Sequence, residues 1–347
     1  MNARVTRLDP TMASEHKVSG MAMKVMVIGA TGFIGPYLAR ALTVRGHEVL
    51  AVSRSPDRAP REAGVTALAL DRGDPEAVAT TARRQGVDAV VDLLAMTLGA
   101  TQPLIDSLAG RVGRYVLASS ADVYRQYGAL HRRERVEGRS PPLDESSPLR
   151  REFYPYRADP RRPAGAPDAW MDDYDKIPIE RALGEQPDLR GVVVRLPMVY
   201  GPGDRQRRFA WAIRPMLAKA AVIDVDAQWA AWRTSYGYVD DVAAGLALAA
   251  THPAANGVYN LGPLETPDHA QWVDRFAAAL DWRGVMRRIA RDAVPEPTRA
   301  ALDALDLSVP MVTDTHRIRV DLGYREATGP ADALDRTIAD EARRLQA

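Results

Sequence analysis

One glycine-rich turn, residues 29–35 with the sequence GATGFIG, constrains the fold of this chain more than any other feature. It follows an apolar run from Lys24 to Ile28 and opens a helical pattern. Gly29 permits the tight turn, Gly32 lets the main chain approach a pyrophosphate, and Gly35 lets helix and strand pack closely. Because free N–H groups at a helix start attract anions, the turn predicts a nicotinamide dinucleotide site; a turn that binds no ligand is the alternative. The turn residues expected to contact the cofactor are Gly29, Thr31, Gly32, Phe33, Ile34 and Gly35.

From Lys24 to about Leu196, short β-rich apolar runs alternate with longer amphipathic stretches, which predicts a parallel sheet with helices on both faces. The predicted strands are Val25 to Ile28, Glu48 to Val52, Thr66 to Leu70, Ala89 to Leu94, Arg114 to Ala118 and Val192 to Leu196. The predicted helices are Phe33 to Arg45, Pro75 to Gln85 and Gln102 to Ala109, followed by the cap glycines Gly46, Gly86 and Gly110. The fold class is therefore α/β, a doubly wound Rossmann sheet that binds ligands at its strand ends.

The alternation stops after Leu196, and shorter signals follow at Tyr236 to Val239, Asp241 to Ala250 and Ala270 to Leu280. We therefore expect a dinucleotide-binding domain over residues 23–196. Residues 197–347 are expected to form mainly a smaller substrate-binding lobe, with some segments that return to the Rossmann core. Residues 1–22 mix charged side chains without an apolar run, so we expect a flexible leader rather than a signal peptide or membrane anchor.

Composition narrows the set of partners. The 347 residues carry a net charge of +1, which provides no basic field for nucleic acid or an anionic membrane. The chain has no cysteine, and its six histidines show no ligand spacing, so we expect neither disulfides nor a metal site. The expected partner is a small-molecule substrate, and the expected location is the cytoplasm.

The end of the second predicted strand favours NADP(H) over NAD(H). An acid at this place holds the ribose 2′-hydroxyl of NAD, whereas a cation accommodates the 2′-phosphate of NADP. Residues 52–55 read VSRS and offer no acid, but Arg54 can pair with the phosphate and Ser53 can donate to it. NADP(H) is therefore the preferred cofactor and NAD(H) the alternative. The competing interpretation of Arg54 is a solvated loop arginine.

Further ordered motifs follow the glycine turn. They are the segments Asp71 to Asp74, Asp88 to Ala95, Tyr115 to Tyr124, Arg195 to Gly203, Tyr238 to Val242, Val258 to Gly262 and Val320 to Tyr324. Together with the turn, they resemble the extended short-chain dehydrogenase/reductase family, the NAD-dependent epimerase/dehydratase group. The resemblance spans nearly the whole chain after the leader, and it allows a homodimer.

The resemblance implies roles for individual residues. The cofactor-contacting positions that it adds are Asp71 near the adenine with Arg72 beside it, Leu94, Ala95 and Ser119 in the groove, and Pro197 and Val199 near the nicotinamide. In the run from Ser119 to Tyr124, the spacing marks Ser120 as the catalytic hydroxyl and Ser119 as its easily confused neighbour. Asp122 falls where dehydratase-like relatives carry an acid that acts on the substrate. A serine that caps a strand end and a solvated acid are the competing interpretations.

The segment from Met171 to Glu180 departs from the family's catalytic pair. In the family, a tyrosine is followed four residues later by a lysine on the same helix face; the phenol acts as acid or base, and the ammonium lowers its pKa and holds the nicotinamide ribose. Here Tyr174 precedes Lys176 by only two residues, roughly 200° around a helix. Pro178, however, predicts a helix that begins no earlier than about Asp175, which leaves Tyr174 in a loop and free to turn toward Ser120.

Three interpretations of this segment stay open. Tyr174 is displaced but working, Asp172 or another acid performs the proton transfer, or the site binds a cofactor without hydride chemistry. Lysine occurs only at positions 17, 24, 176 and 219 in an arginine-rich chain. This scarcity of lysine indicates that position 176 specifically requires an ammonium group. Lys176 is also expected to contact the cofactor.

A second departure is Met198. Sugar-nucleotide relatives commonly carry asparagine at the matching place, so Met198 weakens a nucleotide-sugar assignment while still marking a substrate contact. Arg205 and Arg233 are the arginines predicted to contact the substrate, and Arg207 and Arg208 are further candidates to bind a phosphate or carboxylate. Solvated surface arginines are the competing interpretation. Trp229 and Trp232 are expected either to line an apolar pocket or to pack in the core.

These residues predict an NADP(H)-dependent oxidoreductase or epimerase/dehydratase-like enzyme. Its substrate is expected to be a small polar, sugar-like or natural-product-like compound that reacts at an alcohol or ketone carbon. Ser120 and Tyr174 would contact the carbonyl oxygen, and Lys176 would orient the ribose. The alternative is a cofactor-binding scaffold without redox activity, including an RNA-associated one, against which the near-neutral charge argues.

Overall fold

The structure is a computed structural model that describes residues 21–136, 142–159, 162–163 and 165–346. Residues 1–20, most of the expected leader, lie outside the described residues. The strands are β1 (Lys24–Ile28), β2 (Glu48–Ser53), β3 (Val65–Ala69), β4 (Ala89–Asp92), β5 (Arg114–Ser120), β6 (Gly191–Leu196), β7 (Met198–Tyr200), β8 (Val222–Asp226), β9 (Tyr236–Tyr238), β10 (Gly257–Asn260) and β11 (Val285–Ile289).

The α-helices lie between and after these strands. They are α1 (Gly35–Val44), α2 (Pro75–Gln85), α3 (Leu98–Leu108), α4 (Arg125–Leu130), α5 (Lys176–Glu185), α6 (Ala210–Leu217), α7 (Ala227–Ala231), α8 (Val239–Thr251), α9 (His269–Ala279), α10 (Thr298–Asp303), α11 (His316–Leu322) and α12 (Pro330–Gln346). No helix in the described part of the chain is both long and apolar enough to cross a bilayer.

A seven-stranded parallel sheet organises the molecule, in the order β3-β2-β1-β4-β5-β6-β10. The chain moves outward in one direction from β1 and then in the other direction from β4, so the crevice between these two strands is the topological switch point. The α/β doubly wound prediction is confirmed. Since the glycine turn follows β1, it lies at this crevice.

Strand alternation places successive side chains in two separate cores. Val25 and Val27 of β1 pack in the core that includes α1 and α8 residues, whereas Met26 and Ile28 pack in the core that includes α2 and α3 residues. This period of two is expected of a strand that is covered on both faces. It also means that neighbouring residues at a strand end have different surroundings.

The six predicted strands correspond to β1 to β6, and α2 has its predicted bounds. Helix α3 begins at Leu98 rather than Gln102, because the Thr97 side chain accepts a hydrogen bond from the Ala100 N–H and caps the helix earlier. The three cap glycines have positive φ values of 84°, 65° and 68°, as their positions after helices require.

Beyond β6, two small parallel pairs, β7 with β9 and β8 with β11, accompany the large sheet, while β10 adds to its edge. The three signals predicted there correspond to β9, α8 and α9. Trp229 and Trp232 stack on each other with ring centres 5.3 Å apart and pack beside His269. Core packing is therefore the correct interpretation of these two tryptophans. The division into two lobes at residue 197 stays a prediction.

Candidate active site

The two serines at the end of β5 have different partners. The buried Ser119 donates its hydroxyl to Glu180 Oε1 at 2.5 Å, and Glu180 forms an ion pair with Arg195 at 2.7 Å. Ser120 lines a large cavity, and its Oγ accepts the Asp122 N–H at 3.2 Å. Because consecutive side chains of a strand point to opposite faces, only Ser120 reaches the cavity, as the spacing predicts.

Helix α5 begins at Lys176, which confirms the start predicted from Pro178. Asp175 is its N-cap residue and accepts the Ile177 N–H at 2.9 Å. The same carboxylate forms a fully buried ion pair with Arg150 at 3.0 Å and accepts the Tyr154 N–H at 2.7 Å. Pro178 is the third helical residue, where a missing N–H leaves no intrahelical bond unmade.

Tyr174 lies in the loop before α5 with φ −65° and ψ 122°, and it bridges to Thr97 in an antiparallel manner. Its buried hydroxyl donates to Asp122 Oδ2 at 2.9 Å. Burial first, and then the Asp122 carboxylate, raise the pKa of Tyr174 well above its usual value, while a contact with the Ser120 hydroxyl opposes this shift. The phenol is therefore held in its protonated form at neutral pH.

Asp122 is the centre of a hydrogen-bond cluster. Besides Tyr174, it accepts the Tyr156 hydroxyl at 3.4 Å, and Tyr156 accepts the Tyr127 hydroxyl at 2.8 Å. Burial raises the pKa of Asp122, and the positive charge of Arg150 opposes the shift. The second carboxylate oxygen, Oδ1, is buried without a hydrogen-bond partner among the described residues.

The Lys176 ammonium is fixed beneath the tyrosine by main-chain carbonyls. Nζ donates to Ala95 O at 2.6 Å and to Ala118 O at 3.0 Å, and it lies 5.6 Å from the Tyr174 ring centre. Burial lowers the pKa of Lys176 to about 8, against the opposing charge of Asp122. The structure thus brings together all three predicted catalytic residues and Asp122.

The cavity beside these groups has a volume of about 510 Å³, within the range of small-molecule sites. Pro197 and Met198 line it as predicted for this segment. Tyr127, Tyr156 and Trp170 line it as well, and sequence reasoning missed all three. Tyr156 and Trp170 lie within residues 150–170, which carry no helical or strand periodicity, and Tyr127 lies on the short helix α4, which no sequence signal predicted.

The predicted substrate arginines lie elsewhere. Arg205 and Arg233 do not line the cavity, and Arg233 donates instead to the Thr266 carbonyl and hydroxyl. Arg208 is the arginine that lines the cavity, while Arg207 pairs with Glu341. Asp172, the alternative acid, also lies away from the cavity-lining set. Its carboxylate accepts hydrogen bonds from Arg162 and from the Ala158 N–H.

The crevice at β1 fits a dinucleotide. Gly29 has φ +87°, and a Cβ on Gly35 would lie 2.5 Å from the Ala30 main chain, so both glycines are required by the backbone. Ile34 gives the first turn of α1 no side-chain cap, which leaves N–H groups there to bind a phosphate. Leu94, beside Gly29, is 45% exposed as expected of a groove residue.

Two other predicted cofactor residues have partners within the protein. The Arg72 guanidinium forms an ion pair with the buried Asp92 at 2.6 Å and donates to Thr101. Its positive charge is therefore neutralised within the protein. Val199 is buried in the core, and its carbonyl accepts from Arg208. Asp71 is exposed at the crevice side of the sheet and accepts the Gly73 N–H.

A family model described as the NAD-dependent epimerase/dehydratase family matches residues 25–149 and 177–262. The chain belongs to this family. It is an enzyme of the NAD(P)-dependent short-chain dehydrogenase/reductase type, of the reductase, epimerase or dehydratase kind. The unmatched residues 150–176 include Tyr174 and Lys176, so the departure seen in the sequence coincides with the interruption of the family pattern.

Two curated relatives are reductases by name. A 3-diazoavenalumate denitrifying reductase from a Streptomyces species is 31% identical over 74% of this chain and 82% of the relative. A 2-alkyl-3-oxoalkanoate reductase from Stenotrophomonas maltophilia is 31% identical over 53% of each chain. Among solved structures, MoeE5 in complex with UDP-glucuronic acid and NAD is 21% identical, covers 93% of this chain and all of its own, and has a TM-score of 0.63. This last similarity supports the fold.

Proposed function

We propose that this chain is an NADP(H)-dependent reductase that converts the carbonyl group of a small natural-product-like compound to an alcohol. The observation that carries the proposal is the Tyr174 hydroxyl, placed at the cavity that Ser120 also lines. Reduction of a carbonyl needs a proton donor at the oxygen, and a phenol, which is protonated at neutral pH, can supply that proton. The names of the two curated relatives support the reductive direction.

In this proposal, the chain's own residues handle the proton and orient the oxygen. When bound, NADPH would supply the hydride that the carbonyl carbon takes up. Ser120 donates a hydrogen bond to the carbonyl oxygen, and Tyr174 gives it the proton as the carbon–oxygen double bond becomes single. Asp122 accepts the Tyr174 hydrogen bond beforehand and holds the phenol in place. Lys176, whose buried Nζ lies 5.6 Å from the Tyr174 ring centre, would orient the ribose and stabilise the negative charge on Tyr174 until solvent returns a proton.

The preference for NADP(H) rests on Arg54. It follows Ser53, the last residue of β2, and its exposed guanidinium has no ion-pair or hydrogen-bond partner among the described residues. A free cation at this strand end is suited to a 2′-phosphate. We expect Arg54→Ala to lower kcat/KM for NADPH at least tenfold and to leave that for NADH nearly unchanged. Arg84→Ala, which removes an exposed arginine on α2, is the control. Equal losses with both cofactors would contradict the preference.

The test of the chemistry is Tyr174→Phe, compared with Tyr154→Phe in the same loop region. Loss of a positioned proton donor costs about 10²–10⁴-fold in turnover. We expect that loss for Tyr174→Phe, with unchanged cofactor affinity measured by fluorescence titration, and full activity for Tyr154→Phe. Unchanged turnover in Tyr174→Phe would remove this residue from the mechanism. Cofactor binding with no turnover of any carbonyl compound by the wild type would instead favour a scaffold.

A further inference from the structure

Four aromatic side chains form one part of the cavity lining: Tyr127, Tyr156, Trp170 and Tyr174. Two of the ring pairs meet edge to face, Tyr156 with Tyr174 at 5.2 Å and Tyr127 with Tyr156 at 6.3 Å between centres. We call these four residues the aromatic wall. Rings packed edge to face hold one another in fixed orientations, so the three tyrosines of the wall form a preformed surface beside the more exposed Trp170.

The tyrosine hydroxyls of this wall already form hydrogen bonds within the protein. The Tyr127 hydroxyl donates to Tyr156, and the hydroxyls of Tyr156 and Tyr174 both donate to Asp122. A sugar ring would need several free donors and acceptors on the surface that it contacts, because its hydroxyls lose water on binding. The tyrosine hydroxyls of the aromatic wall already form hydrogen bonds with one another and with the Asp122 carboxylate. What they offer a ligand is chiefly ring surface.

Methionines supply much of the remaining lining. Met96, Met171, Met198 and Met311, four of the eleven methionines in the chain, line this cavity. The thioether adapts to irregular apolar shapes and makes favourable contacts with aromatic rings. The rings and thioethers match a flat apolar ligand body, while Ser120, Gln206, Thr234 and Ser235 add polar groups to the rest of the lining.

Two large apolar side chains remain exposed where they line this cavity. Trp170 is 47% exposed and Met198 is 37% exposed. Apolar side chains gathered beside a concavity, rather than scattered singly, indicate a surface that a ligand covers. The ligand body that contacts them is expected to be apolar as well.

The charged residues that line the cavity are few in the described part of the chain. Among the described cavity-lining residues, Arg208 carries the positive charge and Asp122 the negative charge. The Arg208 guanidinium already pairs with Asp204 at 2.8 Å and donates to Val199 O. A diphosphate would bring at least two negative charges to a lining whose described cation is already neutralised.

We propose that the substrate is a carbonyl compound with an aromatic ring that stacks on the aromatic wall, and that it is not a nucleotide sugar. This proposal rests on the proposed reductase function. The carbonyl lies at Ser120 and Tyr174, and the ring extends along Tyr156 and Trp170 toward Met198. Met198, at the place where sugar-nucleotide relatives commonly carry asparagine, then contacts a ring instead of a sugar.

The experiment compares three ketones of similar carbonyl reactivity with NADPH: benzylacetone, its cyclohexyl analogue and butanone. We expect kcat/KM for benzylacetone to be about fivefold higher than kcat/KM for the cyclohexyl analogue, because aromatic contacts add to the effect of burial. We expect it to be at least a hundredfold higher than kcat/KM for butanone, which has no ring to bury. Trp170→Ala should abolish the preference for the phenyl over the cyclohexyl ring, and Trp170→Phe should keep it. Leu264→Ala, which shortens an exposed apolar side chain outside the cavity lining, should leave the preference unchanged.

Calorimetry separates the substrate class from the reaction. The alcohol of benzylacetone is titrated into the enzyme with NADPH, a pair that cannot react, and its cyclohexyl counterpart and UDP-glucose are titrated in parallel. Tightest binding by the phenyl alcohol supports the aromatic substrate even if no ketone is reduced, a result that would overturn the reductase function alone. Equal binding of the phenyl and cyclohexyl alcohols, or tighter binding of UDP-glucose, would overturn the aromatic substrate even if ketones are reduced.

Discussion

Asp175 separates Tyr174 from Lys176, and its carboxylate is neutralised by Arg150 where both side chains are only 1% exposed. Asp175→Asn keeps the helix cap, because asparagine accepts an N-cap hydrogen bond about as well as aspartate does. It leaves the Arg150 charge buried without its partner, however. Removing one member of a buried pair costs about 3–5 kcal/mol. We expect the free energy of unfolding of Asp175→Asn to fall by that amount.

The neighbouring Asp173 provides a matched control. It pairs with Arg157 at 2.9 Å, a similar distance, but the two side chains are 72% and 51% exposed. Exposed pairs contribute about 0–1 kcal/mol, so Asp173→Asn should change stability little. Both variants are measured by urea unfolding at neutral pH, followed by tryptophan fluorescence. Equal losses in the two variants would refute the reasoning that burial sets the cost.

A double variant identifies the source of the loss. Adding Arg150→Met to Asp175→Asn removes the unpaired buried charge, so part of the lost stability should return. Turnover gives a second readout, because Asp175 anchors the loop that presents Tyr174. We expect kcat to fall in Asp175→Asn under conditions where that variant is still folded, and to stay unchanged in Asp173→Asn. A normal kcat for folded Asp175→Asn would show that the anchor does not position the tyrosine.

Three further predictions concern the site directly. Ser120→Ala should lower kcat at least tenfold, whereas Ser119→Ala should not lower it by more than about twofold; equal losses would mean that the wrong hydroxyl has been assigned. Asp122→Asn removes a charge that raises the pKa of Lys176, so a limb of the pH–kcat/KM profile that reports the loss of the Lys176 proton should move to lower pH than in the wild type; an unmoved limb would contradict this coupling. Because the pKa of Tyr174 is raised in the folded state, the unfolded state loses its phenolic proton first above about pH 10, and stability falls there. Tyr174→Phe should reduce the loss by about 1.4 kcal/mol per pH unit in urea unfolding above pH 10, and an unchanged slope would count against a buried, protonated phenol.

Local sequence patterns were sufficient to predict those features that a few neighbouring residues determine. Runs of β-branched residues predicted β1 to β6, and Pro178 predicted the start of α5, since proline restricts both itself and the residue before it. The period of two along β5 predicted that only one of Ser119 and Ser120 faces the crevice, and the family resemblance marked Ser120 as that residue. Each of these conclusions needs only a few consecutive residues.

Hydrogen-bond and ion-pair partners that are distant in sequence could not be predicted from local patterns. Arg207 and Arg208 are adjacent, yet Arg207 pairs with Glu341 far along the chain and Arg208 lines the cavity. Arg233 donates to Thr266, a partner that no local spacing indicates. Long arginine side chains are directed by tertiary partners, so Arg205 and Arg233 were plausible substrate contacts that the fold directs elsewhere.

Under the proposed function, the displaced tyrosine would keep the proton-donor role while its local scaffold changes. In the family pattern, one helix carries both tyrosine and lysine, so helix geometry alone fixes their relation. Here α5 carries only Lys176, and Tyr174 is fixed by a bridge to Thr97 and by the Asp175 anchor that follows it. The phenol therefore depends on tertiary contacts and can approach Asp122, a partner set by the loop after β5. Because it lies outside the helix, Tyr174 also belongs to the aromatic wall, so the two proposals assign proton donation and substrate selection to one side chain.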